Sequence, residues 1–501
     1  MSTSHNLPLP DLARSGHASL TQQLVDHVVA LIDDGRLEPG ARLPASRALA
    51  ARAGVNPLTA ARTYRRLAEL GYVTTAVGRG TFVRRGPAST LAADNDEWQL
   101  DVLPQRPPTY ADRMLRASLT GGMSEETISL AIGFPDPELS PGEELARIAA
   151  AAARQAPTVV TGYTEVEGAP ALRERLGQLG RQWGFAAGPE EVLVTSGARQ
   201  GIDLVARALL APGDVAAVES PTFAGTLGSL QGTGAQVVGL PVDDEGLDVA
   251  ALERLLARHE IKLVALQPAC QNPTGTDLSA RRRERLLELA RTRGFFVMED
   301  GVYATVRYEG EESLRLRAGA PSHVIYVDSL SKSIGGGLRV GWVAAAGPVF
   351  NRLVQLKLAS DIHTATLPQH LATQYLAGDR HRRLLARALP VYRRRRDALL
   401  GALERHLADE ATWTAPVGGH HVWVTLRSTL DEHALYTEAL HAGVMVLPGG
   451  AVQVDPTART SVRLSFSLAQ PEQHDEAFRR LAAAVRATRR RQPAPATTAL
   501  S

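Results

Sequence analysis

The sequence predicts a multi-domain protein: a small helical domain with a two-stranded wing, then a larger α/β domain that closes with a smaller α+β C-terminal subdomain. Three observations predict it. At 501 residues the chain is longer than one hydrophobic core serves, and 44% hydrophobic with 22% charged residues is the composition of a folded globular protein. The hydrophobic period changes along the chain, from short helical patterns to apolar strand-like runs alternating with amphipathic helices. Charge is unevenly placed as well: residues 41–85 carry nine arginines against one acidic residue, Glu69, in a chain whose net charge is only +2.

Leu20, Leu24, Val28, Leu31 and Ile32 fall on one helical face, and Gly35 stops that helix after Asp34. Ser46 to Ala53 is a short second helix ended by Gly54, and Pro57 to Leu70 a third, with proline at a starting position and Gly71 past the end. Tyr72 to Val83 alternates around Gly78-Arg-Gly80, the pattern of a two-strand wing. Three helices and a basic hairpin over residues 19–85 make a winged helix-turn-helix, and its concentrated positive charge suits a polyanion. Residues 86–126, with Gly86-Pro-Ala-Ser-Thr90 and a second proline cluster from Pro104 to Pro108, read as an interdomain linker. Over 127–488 the strand-like runs are Glu191–Thr195, Val215–Glu219, Gln236–Leu240, Leu263–Gln267, Phe295–Glu299 and Val324–Val327. Strands alternating with helices predict a mostly parallel sheet covered by helices. Ala402 to about Thr488 is the smaller α+β part, residues 489–501 are expected to be a disordered tail, and there are no internal repeats.

Cys270 is the single cysteine, so no intrachain disulfide is possible. No apolar run approaches membrane-spanning length and the N-terminus lacks a secretory pattern, so a cytoplasmic protein is expected.

Lysine is scarce. Of 55 basic residues only Lys262, Lys332 and Lys357 are lysines, and Lys332 lies in the small-residue segment from Ser329 to Arg339. A primary amine on a flexible stem forms an imine with an aldehyde, a reaction closed to a guanidinium, which makes Lys332 the candidate Schiff-base lysine. Upstream, the strand ending at Thr195 runs through Ser196-Gly197-Ala198 into a helix, a turn whose exposed N–H groups and helix dipole attract a phosphate. Gln271-Asn272-Pro-Thr-Gly275 follows a second strand and Asp300-Gly-Val-Tyr303 a third. Taken singly, Asp300 reads as a strand-end cap, Asn272 as a turn former and Phe223 as core. Strand ends of an α/β sheet converge on one crevice, and there the same residues form a set.

In that order the residues resemble the pyridoxal phosphate (PLP)-dependent aminotransferases of fold type I, over roughly Ile128 to Thr488. The resemblance implies that Lys332 forms the Schiff base with PLP and that Asp300 pairs with the ring nitrogen. Asn272 and Tyr303 would bond the ring oxygen, and Phe223 would stack on the ring. Gly197, Ala198, Ser329 and Arg339 would hold the phosphate, while Tyr163 would reach the phosphate of a neighbouring subunit in a homodimer. Arg463, in Ser461-Val-Arg-Leu-Ser465, stands where such enzymes grip an α-carboxylate, here that of an amino-acid or amine effector; a strand-end surface arginine is the alternative. No metal site is expected.

The N-terminal segment is similar to GntR-type winged helices over Leu37 to Val83 and beyond. That similarity implies binding to double-stranded DNA, with Arg47 on the backbone, Asn56, Thr59 and Arg62 in the major groove, and Arg79 of the wing at the minor groove. A GntR-type head on an aminotransferase-like body resembles the MocR-type transcriptional regulators. Asn56-Pro57 stands where Ser-Arg is more usual, Gly335-Gly-Gly where Ala-Pro-Gly is common, Cys270 at a frequent histidine position, and Glu165-Val-Glu for an Asp-Pro segment. The function expected is a PLP-binding transcriptional regulator, with residual transaminase turnover left open by the sequence. Its rivals are a working aminotransferase with an accessory DNA-binding domain and a DNA-binding protein with an empty body.

Overall fold

The computed structural model describes residues 7–10, 12–13, 19–34, 36–38, 40–76, 80–84, 113–114, 116, 126–185, 187–311, 315–455 and 459–491. The chain divides into two compact units, residues 1–107 and 108–501. Arg79 and most of the expected linker lie outside the described residues.

In the first unit, α1 (Leu20–Asp33), α2 (Ser46–Ala53) and α3 (Pro57–Glu69) pack around Val25, Val28, Leu31, Leu49, Tyr64 and Leu67. Each helix has a local cause. Ser19 accepts the Gln22 N–H at the start of α1, Gly54 closes α2 in the left-handed conformation at φ 60°, and Pro57 opens α3. β1 (Val73–Ala76) and β2 (Gly80–Val83) pair antiparallel as the wing, and Val73 and Val83 turn inward to seal the core.

The second unit is built on an eight-stranded sheet. Its strands are β4 (Val192–Thr195), β5 (Val215–Ser220), β6 (Gln236–Asp243), β7 (Gly246–Leu247), β8 (Ile261–Leu266), β9 (Phe296–Asp300), β10 (Val324–Ser329) and β11 (Gly341–Ala344), in the order β4-β11-β10-β9-β8-β5-β6-β7. The sheet is parallel apart from β7 and β11, and every residue of β4 and β10 is buried, as covered parallel strands require. Sequence reading found the parallel strands but missed β11. Gly341-Trp-Val-Ala344 is too short to show a period and directly follows the lysine loop.

A second sheet forms the smaller subdomain from β12 (Ala411–Trp413), β13 (His421–Leu426), β16 (Ser461–Ser465) and β15 (Leu447–Pro448). β3 (Ile128–Ser129) pairs parallel with β14 (Val444–Met445) in a separate two-stranded sheet, so this subdomain draws on both ends of the body. Helices Arg380–Leu407 and Pro471–Arg491 back it through Leu399, Leu403, Phe478 and Leu481. The final helix corrects the expected tail, because residues 489–491 are helical; Arg489 and Arg491 pair with Glu410 and Glu438. Residues 492–501 lie outside the described residues.

Candidate active site and DNA-binding face

Four strand ends of the large sheet aim the site residues at one place. β4 leads through Ser196-Gly197 into α4 (Ala198–Leu209), β8 into Gln267 and Asn272, β9 ends on Asp300, and β10 ends on Ser329, three residues before Lys332. Ala198, Phe223, Asn272, Asp300, Tyr303, Ser329, Lys332, Arg339 and Arg463 all line one cavity of about 870 Å³. Arg463 comes from β16 of the smaller sheet, so the cavity lies between the two sheets of the body.

The turn after β4 forms the floor at one end. Gly197 sits at φ 84°, and a Cβ there would stand 2.6 Å from an Arg339 guanidinium nitrogen, so only glycine admits that arginine. Arg339 donates to the Ser196 carbonyl at 2.9 Å and to Ser331 Oγ at 3.5 Å. From behind, Gln200 Oε1 accepts the Ser196 N–H at 2.7 Å and the Lys357 ammonium at 3.2 Å, and Lys357 is also held by both oxygens of Asp361 at 2.6 and 2.8 Å. Lys262 pairs with Asp214 on the surface at 2.8 Å, which leaves Lys332 as the lysine facing the cavity.

Lys332 Nζ donates to the Gly133 carbonyl at 2.8 Å and lies 5.5 Å from the Tyr303 ring centre. Desolvation first, then the positive charge of Arg463, brings its pKa down from 10.5 to about 8, within reach of an amine nucleophile near neutrality. Asp300 is buried and accepts from Gln267 Nε2 at 2.7 Å and from the Val302 N–H at 3.2 Å. Burial raises it from 3.8 to about 6, and a cation placed against it would draw it back down. Arg463 donates to Asn272 Oδ1 at 3.3 Å and to the Ala131 carbonyl at 2.6 Å, while its buried Nε has no hydrogen-bond partner. Burial lowers it to about 10.

This donor set fits pyridoxal phosphate. An amine, a carboxylate, an anion cradle with an arginine fork, and an aromatic ring at Phe223 surround one cavity, and a buried guanidinium N–H there still lacks an acceptor. Tyr163 is the exception. It is 84% exposed, packs edge-on to His363 at 5.4 Å between ring centres, and does not line the cavity of its own chain.

Sequence reasoning missed two contributors. Gln267 braces two site residues, donating to Asp300 and accepting the Asn272 N–H at 2.8 Å; it was read only as the end of an apolar run. His421 lines the cavity beside Tyr303, and the adjacent pair His420-His421 was the one available signal.

In the head, Arg47, Asn56 and Arg62 are exposed and Thr59 is half-buried. Asn56 is partly committed to structure, since its Oδ1 caps α3 by accepting the Leu58 N–H at 2.8 Å. Arg52 donates to the Leu7 carbonyl and Arg66 pairs with Glu69, so these two basic residues have partners within the head.

A family model described as aminotransferase class I and II matches residues 125–481, and one described as bacterial regulatory proteins, gntR family, matches residues 20–83. The chain belongs to the aminotransferase class I and II family. With its gntR-family head it has the two-part make-up of a MocR-type transcriptional regulator. It is 33% identical over 370 residues to the aromatic-amino-acid aminotransferase 1 of Thermococcus litoralis, covering 72% of this chain and 89% of that protein. It is 28% identical to a Bacillus subtilis protein described as the uncharacterized HTH-type transcriptional regulator YisV, over 91% of this chain and 94% of the relative. Among solved structures, the kynurenine aminotransferase of Pyrococcus horikoshii superposes with a TM-score of 0.72 at 29% identity, covering 80% of this chain and 98% of that one.

Proposed function

We propose that this protein is a cytoplasmic, homodimeric DNA-binding regulator whose body holds pyridoxal phosphate at Lys332 and senses an amine or amino acid there. The observation that supports it most is the meeting of Lys332, Asp300 and Arg463 around one cavity, in a chain that also carries a gntR-family head. Pyridoxal phosphate, when bound, supplies an aldehyde that links to a primary amine and a ring that takes up electron density. The chain's own residues do the rest. Asp300 neutralises a positive ring nitrogen, Asn272 and Tyr303 reach the ring oxygen, and Phe223 covers the ring face. Gly197, Ala198, Ser329 and Arg339 grip the phosphate, and Arg463 clamps an effector carboxylate with its planar fork. Tyr163, which stands free of its own cavity, reaches a partner subunit's phosphate. In the head, Arg47 holds the DNA backbone, Asn56, Thr59 and Arg62 enter the major groove, and Arg79 serves the wing.

An effector moves the DNA equilibrium only by binding two arrangements of the protein unequally. Gel-shift titration on duplexes that the full-length protein selects from a random library is the test. With PLP and a screened panel of amines present, the apparent affinity changes at least about fivefold, a coupling on the order of 1 kcal/mol. Identical affinity under all conditions overturns the regulatory reading. Steady-state transamination on the order of ten turnovers per second would replace it with the enzyme reading.

A further inference from the structure

His420 and His421 open β13 and sit deep in the body, 0% and 3% exposed. Each ring has one nitrogen with a hydrogen-bond partner and one buried nitrogen without: Nε2 of His420 and Nδ1 of His421. The partner of His420 Nδ1 is the Gly133 carbonyl at 3.4 Å, which can only accept, so His420 carries its proton on Nδ1. The partner of His421 Nε2 is Tyr303 Oη at 3.0 Å, which can donate or accept. His421 is held in place for that contact: its ring presses on Gly133, where a Cβ would stand 2.2 Å from Cε1.

We propose that His421 is a positioning residue that donates Nε2–H to Tyr303 Oη and so directs the tyrosine's own proton into the cavity. This rests on the cofactor reading given above for its consequence, though not for the tautomer itself. The two arrangements differ in the ring nitrogen that each leaves without a partner. If Tyr303 donated to His421, the ring would carry a buried Nδ1–H with no acceptor, a rare and costly state. If His421 donates, the leftover is a bare lone pair, the same residue that His420 leaves at its Nε2. A doubly protonated ring is excluded by its setting, since burial and the charges of Arg463 and Lys332, with His420 adjacent, push His421 well below the usual imidazole range. Tyr303 is also surrounded by Arg463, Asp300 and Tyr392, and burial holds its phenol protonated.

The consequence is for the ring oxygen of pyridoxal phosphate. A donor aimed at that oxygen withdraws charge from it and makes the nitrogen linked to Lys332 less basic. The pH midpoint of the visible absorption of PLP-loaded protein reads this, and a merely structural role for His421 would not move it. We expect His421→Phe to raise the midpoint by roughly one unit, a tenfold change in proton affinity, and His421→Gln, which keeps an N–H donor, to restore most of it. In a Tyr303→Phe background the same His421→Phe change has no further effect. An unshifted midpoint in loaded His421→Phe overturns the proposal, as does an equal shift with Tyr303 absent.

Solid-state 15N spectra of histidine-labelled full-length protein without cofactor give a test that needs neither loading nor a foldable His421→Phe. With the His421 signals assigned by their loss in His421→Gln, Nε2 is protonated and Nδ1 bare; the reverse tautomer overturns the proposal. Failure to take up PLP would count against the functional reading while leaving the tautomer result standing.

Discussion

Asp300 and Lys332 are displaced from their ordinary ranges in opposite directions, and the sign of each makes the cavity's charge state depend on pH. Asp300 rises from 3.8 to about 6 by burial, so within that window the folded chain holds a proton that the unfolded chain has released, and stability falls as pH rises through it. Lys332 falls from 10.5 to about 8, so within that window the unfolded chain holds the extra proton and stability rises with pH. A cationic ring nitrogen against Asp300 removes the first penalty, and loading at Lys332 consumes a neutral amine. The rise in melting temperature on adding PLP should therefore be larger at about pH 8 than at about pH 5; a rise that is the same or larger at the lower pH contradicts this. Arg463 acts on a different partner. Arg463→Gln should weaken spectral titration by α-amino acids at least about tenfold, the loss of a charge-assisted pair of roughly 1.5–3 kcal/mol, while amines without a carboxylate bind as before. Equal losses for both ligand classes would remove the carboxylate role.

At the scale of elements, the strand ends explain why the site was legible before the fold was known. Asp300, Ser329 and the turn after Thr195 each end a buried strand, and apolar runs followed by polar or small residues are visible without contacts. Gln267 and His421 were not legible as site residues, because what assigns them is a partner 33 or 118 residues away. The head shows the converse: Asn56, read as a DNA contact, also serves as the N-cap of α3. Asn56→Ala should cost the head about 1 kcal/mol, seen as amide exchange in α3 faster by about fivefold in the full chain. Unchanged protection would mean that the cap contributes nothing. Arg47→Ala should weaken binding to all DNA sequences alike and reduce the slope of log affinity against log salt by about one. A change confined to one operator sequence would instead place Arg47 on a base.

At the scale of the whole molecule, composition and period separated head from body because the two parts differ in charge and in hydrophobic repeat, both local properties of the chain. The smaller subdomain was legible only from its C-terminal side. Its strand β3 comes from Ile128–Ser129, and a two-residue strand that pairs with Val444–Met445 leaves no periodic trace. The arginine bias that runs through the molecule narrows the choice of tethering amine, since three lysines are the complete list of side-chain amines and one of them faces the cavity. Borohydride reduction of the PLP-soaked, full-length protein, followed by peptide mass spectrometry, locates the attachment. Attachment at Lys332 gives a coloured protein with one reduced pyridoxyl label on the peptide containing Lys332, and no label in Lys332→Ala. A colourless protein, or a label on Lys262 or Lys357, would rule that attachment out.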